Sequence, residues 1–372
     1  MTSGGNITLQ SLAWAGLRNL EAANFQPGPH TNLLFGNNGH GKTSVLEAIY
    51  VVCTTRSFRT PRLRELVTHG NQQFSLHATL NERRGDLPPL SRAQTAVFSE
   101  RTLNVRVDGN KPRTSADYAV ASPVVVFHPE EMALSTGPAE LRRRLLDRVA
   151  LYRMPGHARH VAEYLRALRS RQELLRAGRT NVPELQVYEQ LLAERALKLT
   201  ESRKIASEAL FPRVLEAFKT IAAEDLTLEL RYACSEHSSV ATYSAQLEQD
   251  RISDARMPAP CKGPHRDDVV ITLNHHPARR VASQGQHRAI TLALKAAEGA
   301  TVAEITGLEP IQLLDDVSSE LDSDRTKALF RYLASLRGQV FVTSPRKDLL
   351  SEALVRENTL SFQVLNGTVT SA

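Results

Sequence analysis

Gly36-Asn37-Asn38-Gly39-His40-Gly41-Lys42-Thr43 carries the spacing G-x-x-x-x-G-K-[ST], with glycines where a backbone must turn its N–H groups inward around an anion. Such a loop cradles phosphates when it leads from a strand into a helix, because the helix N-terminus adds further unpaired donors. Both neighbours are legible here. Leu33-Leu34-Phe35 is a short apolar run, and Ser44-Val45-Leu46-Glu47-Ala48-Ile49 repeats its apolar positions at helical spacing. Gly36, Asn37, Asn38, Gly39, His40, Gly41 and Ser44 then form the cradle, Lys42 reaches the β and γ phosphates, and the Thr43 hydroxyl holds Mg²⁺. A nucleotide site is the reading that this spacing carries.

Two later segments supply what a hydrolase would need. Ile311-Gln312-Leu313-Leu314 is an apolar strand that ends in Asp315 and Asp316. Asp315 is placed to accept from Mg²⁺-bound water and Asp316 to polarise an attacking water as general base. The plainer alternative is an acidic strand end that caps the following helix. Ser283-Gln284-Gly285-Gln286-His287-Arg288 opens a helix that continues from Ala289 to Ala300. Ser283, Gly285 and Gln286 at a helix N-terminus make a second phosphate-binding surface, and the run resembles the S-G-G-Q signature of ABC-type ATPases. Ser319-Glu320-Leu321-Asp322 looks like the D-loop of that superfamily. There the signature contacts the γ phosphate held by a second subunit, which implies ATP-driven dimerisation. Thr343 stands where transport cassettes place a switch histidine.

The elements that must position these groups follow a coarse pattern. Residues 7–35 read as strands, with more at 74–80, 94–98, 103–107 and 123–127. From Ala139 to about Ala222 the chain turns helical, with helices near 157–177 and 184–210 and Pro212 as the expected break. At 1.5 Å per residue these span roughly 30 and 40 Å, enough for a compact lobe and too short for a long coiled-coil arm. Strands return at 226–233, 268–273, Ile311–Leu314 and Val340–Thr343, with a helix over about 284–299. Neither internal repeats nor low-complexity segments interrupt the pattern. Lys42 and Asp315 are roughly 270 residues apart, so a lobe must fold out between them and the chain return.

Charge is concentrated rather than spread. The chain of 372 residues has a net charge of +6, while residues 140–180 alone contain 11 Arg, no Lys and 4 acids, a local +7. Arginine favours planar contacts to phosphate, and four acids within the stretch cannot pair eleven arginines, so this region is expected to bind nucleic acid. Arg142, Arg143 and Arg144 are the candidate contacts to duplex DNA. Cys53, Cys234 and Cys261 are isolated thiols without C-x-x-C spacing, which argues against a zinc site or a disulfide framework. The first residues carry no basic or apolar leader and no run approaches ~18 apolar residues, so a cytoplasmic protein with no membrane partner is expected.

The order of the phosphate loop, Arg56-Ser57-Phe58-Arg59-Thr60, Phe127-His128-Pro129-Glu130-Glu131, Gly263-Pro264-His265-Arg266-Asp267-Asp268, Ser283 to Arg288 and Leu314 to Asp322 resembles the bacterial RecF family of DNA replication and repair proteins over nearly the whole chain. His40 replaces a more usual serine and His287 a more usual glutamine. The resemblance implies an α/β head of the ABC/SMC type, a P-loop ATPase of mixed sheet with an inserted helical second lobe and no long coiled coil. On that reading residues 1–135 form lobe I, 136–255 the helical insert and 256–372 the returning ATPase segment. It implies ATP and Mg²⁺ as cofactors, an ATP-dependent homodimer that holds double-stranded or gapped DNA, weak DNA-dependent ATPase activity, and action with RecO and RecR in loading RecA, with links to the SOS response. A transporter's nucleotide-binding subunit and a purely structural SMC-like tether are the rival readings.

Several residues stay open on sequence alone. Arg59 suits a phosphate contact, a DNA contact or a surface ion pair. His265 to Asp268 suit either a metal or acid/base cluster or a polar strand start. Asp322-Ser323-Asp324 is better explained by the D-loop and a helix cap than by a metal nuclease, and the Q-loop position near Glu130 and Glu131 has no glutamine.

Overall fold

Strand phase decides what the N-terminal segment buries. The computed structural model describes residues 5–154, 156–222, 226–235, 238–257, 259–316, 338–346 and 359–372. In β1 (Gly5–Ala15) the buried residues Ile7 and Leu9 are followed by Leu12 and Trp14, because a register shift between Leu9 and Ser11 resets the alternation. Then come β2 (Ala23–Phe25), β3 (Thr31–Phe35) and, past the phosphate loop, α1 (Lys42–Thr54). The meander β4 (Phe74–Arg83), β5 (Leu90–Ser99) and β6 (Thr102–Val107) leads to α2 (Ser115–Val120) and β7 (Val124–Phe127). Helices α3 (Ala139–Arg153), α4 (His157–Arg176) and α5 (Pro183–Ile221) precede β8 (Leu228–Ala233), α6 (Val240–Gln249) and α7 (Arg251–Asp254). After β9 (Asp268–Leu273), β10 (His276–Pro277) and α8 (Ala278–Val281), the chain returns through α9 (Gln284–Thr306), β11 (Leu308–Glu309), β12 (Ile311–Leu314) and β13 (Val340–Ser344). The hairpin β14 (Leu360–Leu365) and β15 (Thr368–Ser371) closes the order.

Contacts divide the chain into two compact units, one of residues 1–132, 216–224 and 288–372, the other of 133–215 and 225–287. Among the described residues the first contains two sheets. One runs β11-β1-β4-β5-β6 with β2 beside β1, and the other runs β15-β14-β3-β13-β12-β7, parallel except for β15. Helix α1 is buried on every side, with Val45, Leu46, Ile49, Val51 and Val52 in the same core as Leu34, Leu313 and Phe341 of the parallel sheet and Leu76 and Leu80 of the other. That full burial explains the near-continuous apolar run after Ser44. Gln339 is also fully buried here. Its side chain accepts from Leu9 N–H at 2.7 Å and donates to Leu9 O at 2.9 Å and Gly28 O at 2.7 Å.

The second unit packs Tyr164, Ala167 and Leu168 of α4 against Leu192, Ala193, Ala196 and Leu199 of α5 and Tyr243 and Leu247 of α6, beside the small sheet β10-β9-β8. Two differences from the expected organisation have physical causes. Helix α5 continues through Pro212 to Ile221, whereas a break was expected there. Pro212 and Glu208 are exposed, so the carbonyl that loses its partner sits on the solvent side while Leu210, Val214 and Phe218 keep the buried stripe intact. The unit boundary falls at residues 287/288 rather than at 255/256, because β9 pairs antiparallel with β8 and so belongs with the helices.

Replacing Gln339 by Leu takes the side-chain partner from two buried backbone groups, Leu9 N–H and Leu9 O, while Gly28 O keeps Asn32 Nδ2 at 2.9 Å. Denaturant unfolding is expected to show a loss of about 2 kcal/mol or more, well beyond that of a surface Gln→Leu change.

Candidate nucleotide site

The phosphate loop has the backbone that its glycines were expected to allow. Gly39 and Gly41 have φ of 83° and 111°, in the region that favours glycine. At Gly36 a Cβ would lie 2.2 Å from Val364 O of β14, so only glycine fits against that strand. Lys42 is buried at the first turn of α1, and its Nζ donates to Gly36 O at 2.6 Å and Asn37 O at 3.1 Å, which holds the ammonium over the loop. Burial lowers its proton affinity, opposed by the nearby carboxylates of Asp316 and Asp315. Ser44 faces away from the loop's centre and donates to Asn19 Oδ1 at 2.9 Å.

Parallel pairing carries the carboxylates to the same place. Register pairs Leu314 of β12 with Val342 of β13 and Phe127 of β7, and Leu33 of β3 with Val342, so these strands end side by side. Asp315 and Asp316 emerge at that edge beside α1. Thr43 Oγ1 donates to Asp315 Oδ1 at 2.8 Å, and Thr343 Oγ1 donates to the same oxygen at 2.9 Å while accepting the N–H of Asp316 at 2.8 Å. Thr343 therefore holds both acids in place. Asp316 has φ of 47°, a left-handed turn that ends the strand at the carboxylate pair. Burial raises the Asp315 carboxyl above its ordinary range, with the two threonine hydroxyls pulling against it. A hydroxyl and a carboxylate set together are the hard oxygen donors that Mg²⁺ takes alongside several waters, so Thr43 and Asp315 fit that ion.

Ser283, Gly285 and Gln286 lie in the second unit, at the start of α9. Gln286 N–H donates to Ser283 Oγ at 3.2 Å, and Ser283 N–H donates to Gln286 Oε1 at 2.8 Å. This reciprocal capping box fixes the serine at an exposed helix N-terminus. The D-loop residues Ser319 to Asp322 and the run to Asp324 lie outside the described residues.

Comparison with known proteins settles the family. The RecF/RecN/SMC N terminal domain family matches residues 8–370. A DNA replication and repair protein RecF from Anaeromyxobacter sp. (strain Fw109-5) is 36% identical, over 98% of this chain and 99% of its own. The chain belongs to the RecF family. Two solved structures of the recombination mediator RecF in the RecFOR pathway, described as RecF-ATPrS and RecF-ATP, superpose with TM-scores of 0.88 and 0.86 at 25% identity, covering all of this chain. The fold of this RecF-family chain is thus the SMC-like ABC ATPase head expected from its motifs.

The arginine-rich stretch is placed differently from the expectation. Arg142 is buried, with Nε 2.7 Å from Asp268 Oδ1 and Nη2 3.0 Å from Oδ2, and it also donates to Leu134 O and Gly137 O. It is spent inside the unit and is withdrawn as a DNA contact. Arg143 is half-buried and donates to Asp267 O at 2.7 Å, and exposed Arg144 pairs with Glu140 one turn away. Arg171, fully buried, reaches Glu189 at 3.0 Å and Asp254 at 2.8 Å. Carboxylates from outside residues 140–180 supply the partners that the local count could not see.

The Gly263 to Asp268 run proves to be a structural clamp of this RecF-family fold. Asp268 takes Arg142, while Asp267 accepts from Tyr232 and, at 3.5 Å, from Arg203, which itself grips Asp147 at 2.7 and 3.1 Å. Gly263 has φ of 125°, and a Cβ there would meet Tyr243 Oη at 2.3 Å. Arg59, left open by sequence, lies 3.5 Å from Glu47, a fully buried acid on α1 that Arg18 holds at 2.8 and 2.9 Å and that also accepts from Ser57. Glu131 lies 2.8 Å from Lys295 of α9.

His265 accepts from Tyr164 Oη at Nδ1, 2.6 Å away, and faces Pro260 O with Nε2 at 2.9 Å, which requires the neutral Nε2–H tautomer. Burial lowers its pKa to about 4. The unfolded chain, near pH 6.5, takes up this proton before the folded chain does. Stability from this residue is complete above about pH 6.5 and drains away as pH falls towards 4, by roughly 3 kcal/mol in all. Urea unfolding at pH 7 and pH 4.5 should show a steeper acid loss for wild type than for His265→Gln.

Proposed function

We propose that this chain is an ATP-dependent DNA-binding protein of replication and repair in which nucleotide drives two copies together around DNA. The observation that carries this reading is the joined site: Lys42 over its loop, with Thr43 and Thr343 on one oxygen of Asp315. ATP binding agrees with the RecF-ATP structure among the relatives. Lys42 receives the β and γ phosphates as a compact charge, and the N–H groups from Gly39 to Thr43 line the cradle. Thr43 and Asp315 would hold Mg²⁺, which would offset negative charge on the β and γ phosphates. Asp316, set by its N–H bond to Thr343, orients the attacking water and takes its proton.

Ser283, Gly285 and Gln286 of a second copy close the site from the γ-phosphate side, which makes dimerisation the consequence of ATP binding. Hydrolysis then releases the pair, a slow timer for residence on double-stranded or gapped DNA. Participation with RecO and RecR is carried over from the RecFOR pathway of the structural relatives. The DNA contacts are reassigned to the solvent face of α4. Arg166 and Arg169 are exposed there and have no carboxylate partner among the described residues, opposite the buried face of Tyr164, Leu168 and Arg171.

Sedimentation with ATP and Mg²⁺ tests the shared site. Lys42→Ala should abolish nucleotide binding, Ser283→Arg should bind ATP as a monomer, and Asp316→Asn should accumulate as a dimer with turnover at least ~10²-fold slower. A normal ATP-induced dimer from Ser283→Arg overturns the closure by a second copy, and unchanged turnover in Asp316→Asn moves the base elsewhere.

For DNA, each phosphate contact contributes about 0.9 to the slope of log affinity against log salt, so Arg166→Ala with Arg169→Ala should lower it by roughly 1.8 on any duplex sequence. Arg142→Ala should instead cost about 2 kcal/mol of stability, chiefly by taking the donor from the buried Leu134 carbonyl, since Asp268 is partly exposed and keeps the N–H of Val269. A full wild-type slope in a stable double variant removes α4 from the DNA path.

A further inference from the structure

We infer that the Asn19 side chain and the turn at Asn366-Gly367 act together as positioning residues for the phosphate loop, and that they set the affinity for the nucleoside triphosphate. The inference rests on the nucleotide-binding reading above and extends it to residues outside the motif. Gly367 N–H donates to His40 O at 2.9 Å, and Gly367 O accepts from Glu21 N–H at 3.1 Å. Asn19, two residues before Glu21, donates through Nδ2 to Gly39 O at 2.9 Å and accepts from Ser44 Oγ at 2.9 Å. One side chain thus grips the loop on both sides of Lys42.

What this does to the cradle follows from peptide geometry. In a trans peptide the C=O of one residue and the N–H of the next point in opposite directions. Drawing Gly39 O to Asn19 and His40 O to Gly367 turns both carbonyls outward, which aims the N–H of Gly41 into the cradle, where an anion needs it, and sets the N–H of His40 to close a turn inside the loop on Asn37 O at 3.4 Å. Leaving either carbonyl free to swing inward would set a partial negative charge against a phosphate.

The turn can do this only in one conformation. Leu365 pairs with Thr368 across it, and Asn366 and Gly367 have φ of 48° and 88°, a two-residue turn that suits Asn-Gly. A Cβ on Gly367 would lie 2.0 Å from Asn19 O, so the close approach between turn and Asn19 backbone requires glycine. Upstream, β14 pairs parallel with β3, and Val364 O of the same strand abuts Gly36, which fixes the hairpin against the start of the loop as well.

The test uses the full chain, calorimetric titration with ATP and Mg²⁺, and hydrogen exchange of the nucleotide-free protein. Asn19 is exposed, so Asn19→Ala should leave the thermal midpoint of the nucleotide-free chain unchanged, weaken ATP about tenfold, speed exchange of the His40 and Gly367 amides, which bond Asn37 O and His40 O, and keep kcat at saturating ATP. Gly367→Ala should weaken ATP further and lower the midpoint as well. Wild-type affinity or wild-type exchange in Asn19→Ala overturns the inference. A wild-type chain that binds no ATP overturns the functional reading instead, and the exchange rates then still decide whether Asn19 orders the loop.

Discussion

A single carboxylate oxygen draws the parts of this protein together. Asp315 Oδ1 accepts from Thr43, at the start of α1, and from Thr343, at the end of β13. Those three residues come from three strand or helix ends that meet only because β3, β13 and β12 run parallel and in a fixed register. A slip of one residue between β12 and β13 would turn Thr343 to the opposite face of the sheet, and one between β3 and β13 would carry Thr43 along the strand direction by about 3.3 Å. The pleat of the parallel sheet and the chemistry of the site are therefore one constraint. Gln339, which bonds Leu9 and Gly28 just before β13 begins, ties the second sheet to that register.

What the sequence made legible is what short-range physics controls. The phosphate loop, the strand ending in two aspartates and the helix opened by Ser283 each announce themselves through spacing within about ten residues. The strand 268–273 and the run Ile311 to Leu314 fall where alternation and apolarity put them. Thr343 stands out in the sequence only as a departure from a histidine, because its part in holding Asp315 and Asp316 depends on a partner 28 residues away that spacing does not reveal. The hairpin β14–β15 carries its own local signal, Asn366-Gly367 between alternating residues, which specifies the turn without fixing where the hairpin docks.

Charge was the least legible feature, for a reason specific to ions. A count along the chain assumes that partners are local, as in the Arg144–Glu140 pair one helical turn apart. Burial reverses the preference. An arginine such as Arg171, removed from water, must meet carboxylates wherever the fold can deliver them, and here they come from Glu189 and Asp254. The most deeply paired arginines are thus those that a window count would rank as free. The same logic decides the Gly263 to Asp268 run, open on sequence between a reactive cluster and a polar strand start, in favour of an anchor for β9, since each of its two acids is matched to a cation.

The placement of β3 has a consequence for how the molecule comes into being. Its two neighbours in the sheet are β13 and β14, and Asn32 bonds Val340 O across 308 residues of sequence. During synthesis, therefore, Leu33 and Leu34 leave the ribosome long before either strand that pairs with β3 exists. The helical unit, whose contacts are nearer in sequence, can order first, while the apolar strand and the helix α1 behind it wait in a loosely collapsed state. Contacts closed over such distances form slowly and leave edges open to misassociation in the interval. Nucleotide capacity is then acquired late and all at once, when β12, β13 and β14 arrive on either side of a loop made at the start.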